Sequence, residues 1–331
     1  MSKIFCVLLS CLFCMTMFAV DISLPPGERP VKLNTGFYVA DLAAINTSGQ
    51  SFDARFFYLV SWYDKRLAHK SSKPINKKLS EVWNPNIQIM NQRKVYKTLP
   101  DQVTVMPDGK VIYVQAGWGT FSQPLKLKAF PFDKQKISFK LVSVCGEPPT
   151  NVQFFTNADN ISGLADKLSI ADWKVLNWQE EVTPFILKNF SKRPSMTFSF
   201  KAERLTSYYV VKMILPLVMI VMMSWAVFWM DPVNVASNVG ISITSMLTLI
   251  AYRFSADAIL PRLSYLTSLD YFILASTILV FLSLVQNLTT SSLTKHGRNK
   301  QSYMLDLCCR AGFPIVFFVI LLETMWFRWF L

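Results

Sequence analysis

Two periodicities divide the chain near residue 208. From residue 21 to about 207, apolar and polar positions alternate in short runs. The clearest covers 51–62, where Phe52, Ala54, Phe56, Tyr58, Val60 and Trp62 alternate with Asp53, Arg55 and Ser61. A period of two buries one face of a strand and leaves the other free. Similar runs lie at 36–45, 103–106, 111–115, 137–144, 152–155, 173–178 and 196–202, and Pro107-Asp108-Gly109 makes a turn signal between two of them. The pattern predicts an antiparallel β-sandwich of about eight to ten strands.

From Tyr208 onward the apolar runs become continuous. Residues 213–230 and 271–288 carry no charge, and 311–331 meets only Glu323 and Arg328 near its end, among Trp326, Phe327 and Trp329. Each approaches the ~20 residues a helix needs to cross a hydrocarbon core. A fourth stretch, 239–252, is uncharged but holds Ser242, Thr244, Ser245 and Thr248. These runs predict a four-helix transmembrane bundle within 208–331, with helices over about 210–230, 237–259, 268–288 and 311–331, behind a β domain over 21–207.

At the start, Lys3 precedes an apolar run up to Val20, with Ala19 just before Asp21. Residues 1–20 read as a secretory signal peptide, the alternative being an uncleaved anchor; both export the β domain. Four crossings then return the C-terminus outside. The connection 289–310 lies inside, and its Lys295, Arg298, Lys300 and Arg310 against Asp306 alone agree with the positive-inside rule.

Composition narrows the function. With 52% hydrophobic and 17% charged residues the chain is too apolar for an ordinary soluble domain, and 26 Phe with 9 Trp and only 11 Gly exclude a collagenous, coiled-coil or disordered chain. The net charge of +13 admits a nucleic acid or a membrane as partner. The uncharged runs favour the membrane, so no nucleic acid is expected. Cys6, Cys11 and Cys14 leave with the signal, Cys145 stands alone, and Cys308 and Cys309 adjoin the last apolar run, so no disulfide framework can be drawn. His69 and His296 lie near no Cys pair, so no zinc site can be drawn, and no metal or cofactor is expected. The Lys-rich segment 65–78 around His69 reads as a solvated loop. Neither a glycine-rich phosphate loop nor a Ser, His and acid grouping stands out, which argues against an enzyme, and no internal repeat suggests a transporter.

The hydroxyl-bearing run is the chemically distinctive element. At about 100° per residue, Ser237, Thr244, Thr248 and Ser255 share a stripe with Ala251, with Leu247 and Phe254 at its edge. These hydroxyls either bond back to their own helix inside a monomeric bundle or line water. A single stripe encloses water only when copies surround an axis, which cyclic symmetry supplies. Ser237 and Thr244 then form polar rings, and Leu247 an apolar constriction that closes by dewetting. Arg253, Asp257 and Arg262 would stand at the outer mouth and Asp231 at the inner one.

Four motifs in order complete the reading: Phe130-Pro131-Phe132-Asp133-Lys134-Gln135; Ser207-Tyr208-Tyr209 running to Ile214-Leu215-Pro216-Leu217; Ser224-Trp225-Ala226-Val227-Phe228-Trp229; and Leu247-Thr248-Leu249-Ile250-Ala251-Tyr252 followed by Ile259-Leu260-Pro261-Arg262-Leu263. Together they resemble the pentameric ligand-gated ion channels, the Cys-loop receptor superfamily, and most closely its bacterial members of the Erwinia type. The resemblance implies a homopentamer, each chain joining four copies of itself in the lipid of a bacterial inner membrane, that conducts inorganic ions when a small ligand or protons act on the outer domain. It implies pore-facing Gly240, Thr244, Leu247, Ala251, Phe254 and Ala258, with Leu247 as the central gate and Phe254 as a second narrowing. It implies coupling through Asp133, Arg204 and Pro261, with Asp133 and Arg204 as a buried ion pair; the alternative is a solvated Asp in a turn.

The resemblance also places a ligand site between subunits, where an aromatic cage attracts ammonium groups. Tyr38, Gln88, Phe185 and Phe190 match it. Val142 and Val144 stand where amine-gated bacterial relatives have an acid and an aromatic, so the cage is incomplete, and its aromatics also suit core or loop packing. Two further departures are the missing pair of cysteines that names the superfamily and the shortness of 289–310, too brief for the cytoplasmic domain of animal receptors. Val235, Ala236, Ser237 and Asn238 supply no acid at the inner mouth; Asp231 and Asp257 point to cations, with Arg253 as a counterweight. A membrane-anchored periplasmic sensor without a pore is the competing function.

Overall fold

A computed structural model of the chain describes residues 23–27, 29–145, 151–156, 161–186, 192–257 and 262–324. The strands, in chain order, are β1 (Val31–Asn46), β2 (Ser51–Tyr63), β3 (Ile75–Lys78), β4 (Ile87–Ile89), β5 (Gln92–Lys97), β6 (Gln102–Val105), β7 (Lys110–Ser122), β8 (Lys134–Ser143), β9 (Val152–Thr156), β10 (Gly163–Leu164), β11 (Trp173–Val182) and β12 (Ser195–Arg204). One sheet runs β10-β1-β2-β7-β6-β3, with β5 also on β7 and β9 also on β1; the other runs β11-β12-β8-β4.

The alternation of β2 is realised as read. Phe52, Ala54, Phe56, Tyr58, Val60 and Trp62 are all buried. The sheets meet on aromatic rings, with Phe139 at the centre: its ring lies 4.7 Å from Phe37, 4.8 Å from Phe121 and 5.1 Å from Phe52. Offset and edge-on pairs of this kind add to the burial of their area. The turn at Pro107-Asp108-Gly109 joins β6 to β7, and Gly109 takes a φ of +85°, open mainly to glycine.

Three departures from the pattern have physical causes. First, β9 and β10 run parallel to β1. A parallel pair needs a long crossover, which the chain from β2 to β8 supplies. Second, β4 and β10 are too short for an alternation to be legible, and β3 (INKK) and β5 (QRKVYK) carry too few apolar residues to show one. Third, 65–78 is not a solvated loop throughout: Lys65–Leu67 forms a 3₁₀ turn capped by Asp64, and Ile75–Lys78 pairs with β6.

Beyond the strands lie four helices long and apolar enough to cross a membrane: α1 (Ser207–Trp229), α2 (Val235–Asp257), α3 (Ser268–Lys295) and α4 (Asn299–Leu322). Within α1, Val210–Ile214 is a π-helical turn, followed after Leu215 by Pro216, which has no N–H to give the ladder. Aromatic contacts seat α4 on the bundle, Phe317 against Trp225 at 5.4 Å and Phe272 at 5.6 Å, and Phe313 against Phe228 at 5.0 Å.

The expected connection 289–310 is overturned. α3 continues to Lys295 and α4 begins at Asn299, well before the expected 311, so only 296–298 separate them. Hydropathy marks the lipid-embedded length alone, whereas these helices extend beyond it by bonding across: the Thr294 hydroxyl donates to Ser302 Oγ at 2.9 Å, and Ser302 to the Thr290 carbonyl at 3.2 Å. The expected signal peptide lies outside the described residues, as do 325–331 of the last apolar run.

Candidate functional site

α2 has one buried side. Asn238, Ser242, Ser245, Leu249 and Ala256 are buried against the chain's own bundle. Spaced four, three, four and seven residues, they form a stripe along the helix. Asn287 of α3 donates to Ser242 Oγ at 3.3 Å, and Asn238 donates to the Asp231 carbonyl at 2.9 Å. The polar inner half of this seam gives way outward to Leu249 and Ala256 against an apolar bundle.

The opposite face is uncovered. Ser237, Gly240, Thr244, Leu247, Ala251 and Phe254 are all exposed, Leu247 at 61% and Phe254 at 72%. At about 100° per residue, Leu247 stands about 180° from the buried stripe. This corrects the rotation read from the hydroxyls alone: Leu247 and Phe254 occupy the middle of the free face, while Ser237, Thr248 and Ser255 flank it. Hydroxyls are a poor guide to the centre, because Ser and Thr satisfy themselves on either side: Thr244 donates to the Gly240 carbonyl at 2.8 Å on the exposed face and Ser245 to that of Ile241 at 2.9 Å on the buried one. Ala258 lies outside the described residues.

Between the strands and the helices, Arg204 at the end of β12 meets Asp133, the residue before β8. Nε lies 2.8 Å from Oδ1 and Nη2 3.2 Å from Oδ2, with both side chains 1% exposed. The arginine makes further contacts: Nη1 donates to the Tyr209 hydroxyl at 3.0 Å, Nη2 to Thr47 Oγ1 at 3.2 Å, and the guanidinium lies 4.1 Å from the Trp173 ring centroid and 4.9 Å from that of Phe130. Gln135 Nε2 donates to Asp133 Oδ2 at 2.6 Å. The solvated-turn alternative for Asp133 is thereby excluded. Pro261 lies outside the described residues.

A second contact between the two parts carried no sequence signal. Leu127 N donates to the Tyr265 hydroxyl at 3.2 Å, and the Ser268 N–H to the Lys128 carbonyl at 2.9 Å. Ser268 is aimed by the capping box that starts α3, in which Thr267 Oγ1 accepts from Asp270 N and the Asp270 carboxylate accepts from Thr267 N. Hydrogen bonds to backbone depend on docking, so residue type alone does not reveal them.

Of the four residues matched to a ligand cage, Tyr38, Gln88 and Phe185 are described, each on a different element. Tyr38 lies on β1 of the larger sheet, half-buried beside Gly163. Gln88 on β4 is exposed and pairs with Val142 of the smaller sheet. Phe185 exchanges backbone bonds with Arg193, and its ring already faces a cation, Lys140 Nζ, at 5.2 Å. Phe190 lies outside the described residues. Among the described residues no group of three or more His, Cys, Asp or Glu is placed to hold a metal ion.

With the geometry in view, comparison with known families is decisive. Residues 20–206 match the neurotransmitter-gated ion-channel ligand binding domain, and 213–305 the neurotransmitter-gated ion-channel transmembrane region. The chain belongs to the neurotransmitter-gated ion channels. It is a gated ion channel and a multi-pass membrane protein, and not an enzyme. One relative, a "Proton-gated ion channel" of Gloeobacter violaceus, is 23% identical over 316 residues, covering 92% of this chain and 87% of its own length.

Proposed function

We propose that the chain assembles as a homopentamer of a ligand- or proton-gated channel, with α2 lining the pore and Leu247 and Phe254 forming its narrow rings. The observation that carries this reading is the two-sidedness of α2, sealed to its own bundle on one face and bare along Gly240, Thr244, Leu247, Ala251 and Phe254 on the other. A bare stripe of mixed polarity is costly against acyl chains and useful around water. Symmetric copies convert it into rings.

The β domain, 21–207, faces outside the inner membrane, as does the C-terminus, and the helical unit, 208–331, spans it. Cations are the permeant species: no Lys or Arg stands between Asp231 and Ala251, and Asp231 and Asp257 flank the helix. The stimulus acts on the β domain and reaches α2 through the Asp133–Arg204 pair and the 261–268 segment. Gating is then a population shift driven by tighter binding of the stimulus to the open arrangement. Protons are one candidate stimulus, in keeping with the proton-gated relative; a small ligand at an inter-subunit site around Tyr38, Gln88, Phe185 and Phe190 is the other.

The test is current through purified protein in a planar bilayer with asymmetric KCl, while pH and candidate amines are varied. The reading requires unitary currents, reversal toward the potassium potential, and increased opening in Leu247→Ser, which wets the apolar ring. A silent bilayer with both proteins rejects the pore in favour of a sensor.

A further inference from the structure

α2 is attached to its bundle at two levels. Near its inner end the ties run to α3 and to the preceding turn, through Ser242 and Asn238. Toward its outer end Tyr252, half-buried, donates its hydroxyl to the Met213 carbonyl of α1 at 2.7 Å. The exposed Leu247 and Phe254 lie on either side of this attachment along the chain.

The acceptor is placed where it connects to the rest of the molecule. Met213 belongs to the π-helical turn Val210–Ile214, buried, and that turn follows Tyr209 directly. Tyr209 is buried too, and its hydroxyl accepts from Arg204. A continuous set of contacts therefore runs from Asp133 through Arg204, Tyr209 and the π turn to Tyr252. It is separate from the Leu127–Tyr265 and Lys128–Ser268 contacts, which reach α3.

The direction of the pull follows from the helix geometry. Tyr252 and Phe254 are two residues apart, so their side chains diverge by about 200°. A bond that draws Tyr252 onto α1 draws the Phe254 face away from whatever that face encloses. In hydrocarbon, a polar group that loses its partner finds no water to replace it, so such interhelical bonds favour one arrangement over another.

We propose that Tyr252 is a positioning residue for gating: its bond to the Met213 carbonyl holds the outer half of the pore helix back on α1 and so favours the open state. The proposal rests on the channel reading above. It gives the first helix, entered from Arg204 through Tyr209, a direct part in transmission.

The test uses the full-length protein in planar bilayers, with Leu247→Ser supplying openings that need no identified stimulus. Adding Tyr252→Phe, which keeps the ring and removes only the hydroxyl, is expected to lower open probability about fivefold, within the range one such bond supplies, and to leave unitary conductance unchanged. Tyr209→Phe is expected to lower it as well, and the double variant to fall no further than the larger single effect, as residues on one path do. Oligomer size by gel filtration and unaltered conductance establish that the variants are folded. An open probability that stays level or rises in Tyr252→Phe, or effects that add in full, overturns the proposal. Silence of Leu247→Ser itself overturns the channel reading and the proposal with it, a result distinct from openings insensitive to Tyr252.

Discussion

Arg204 and Asp133 form a bidentate ion pair sealed from solvent at the point where the last strand passes into the first helix, with Nε 2.8 Å from Oδ1 and Nη2 3.2 Å from Oδ2. Two charges removed from water are stable only with their other polar directions satisfied. Tyr209, Thr47 and Gln135 provide the remaining bonds.

Arg204→Ala leaves the Asp133 carboxylate buried without its partner and is expected to cost about 3–5 kcal/mol, read as a lowered thermal midpoint of the purified oligomer. Arg204→Lys recovers only part of this, because an ammonium neither makes two parallel bonds nor stacks between Trp173 and Phe130. Equal stability of the Lys and Arg proteins would argue against the bidentate geometry.

Tyr265→Phe removes the acceptor of the Leu127 N–H, a loss of about 1 kcal/mol at the contact between the loop before Asp133 and the segment before α3. If this contact transmits the stimulus, the half-activating stimulus rises roughly fivefold with unitary conductance intact. Concentration–response curves in bilayers settle it, and an unmoved curve assigns Tyr265 to packing alone.

Gly119→Ala tests how closely β5 lies beside β7, where Val95 is the partner of Gly119. A Cβ at position 119 would overlap the Lys94 carbonyl oxygen and stand 2.8 Å from Val95 Cα, both backbone. Relief requires β5 to move off the sheet, at a cost of about 1–3 kcal/mol or more. Faster hydrogen exchange confined to 92–97 is the expected signature.

Glu180 on β11 accepts the Ser162 hydroxyl, which in turn accepts from Phe37 N at 3.0 Å, linking the edges of the two sheets. Burial pushes the Glu180 carboxyl above its ordinary value of 4.5. The folded state therefore holds this proton more tightly than the unfolded chain. Its contribution to stability is present below about 4.5 and is lost as pH rises through the raised folded value. Glu180→Gln is expected to be more stable than the parent at pH 7 and to lose this part of the pH dependence, while Asp41 and Asp101, held low by hydrogen bonds from Ser169 and Lys97, lose their contribution only below their ordinary 3.8. Parallel melting curves from pH 4 to 7 for the two proteins would exclude Glu180 as a titrating group of the fold.

Some of this architecture was written along the chain. Inward positions of β2 and the uncharged cores of four helices follow from periods of two and from unbroken apolar length, which are local properties. The partnership of Asp133 with Arg204 was legible only through motif order. Short strands such as β4 and β10 have too few residues to show a period, and α3 and α4 pass beyond the apolar runs because Thr290, Thr294 and Ser302 bond to one another rather than to water.

The sequence by itself determined that a strand-rich unit precedes four membrane-length helices and that the second of them holds Ser242, Thr244, Ser245 and Thr248 close together. It did not determine which way that helix turns. Hydroxyls bond to their own backbone on either face, so only packing against α1 and α3 decided that Ser242 and Ser245 are covered and that Leu247 and Phe254 stand free. Likewise the Tyr252–Met213 and Tyr265–Leu127 bonds join a side chain to a distant backbone atom, and backbone looks the same at every residue until the fold brings one particular group within reach.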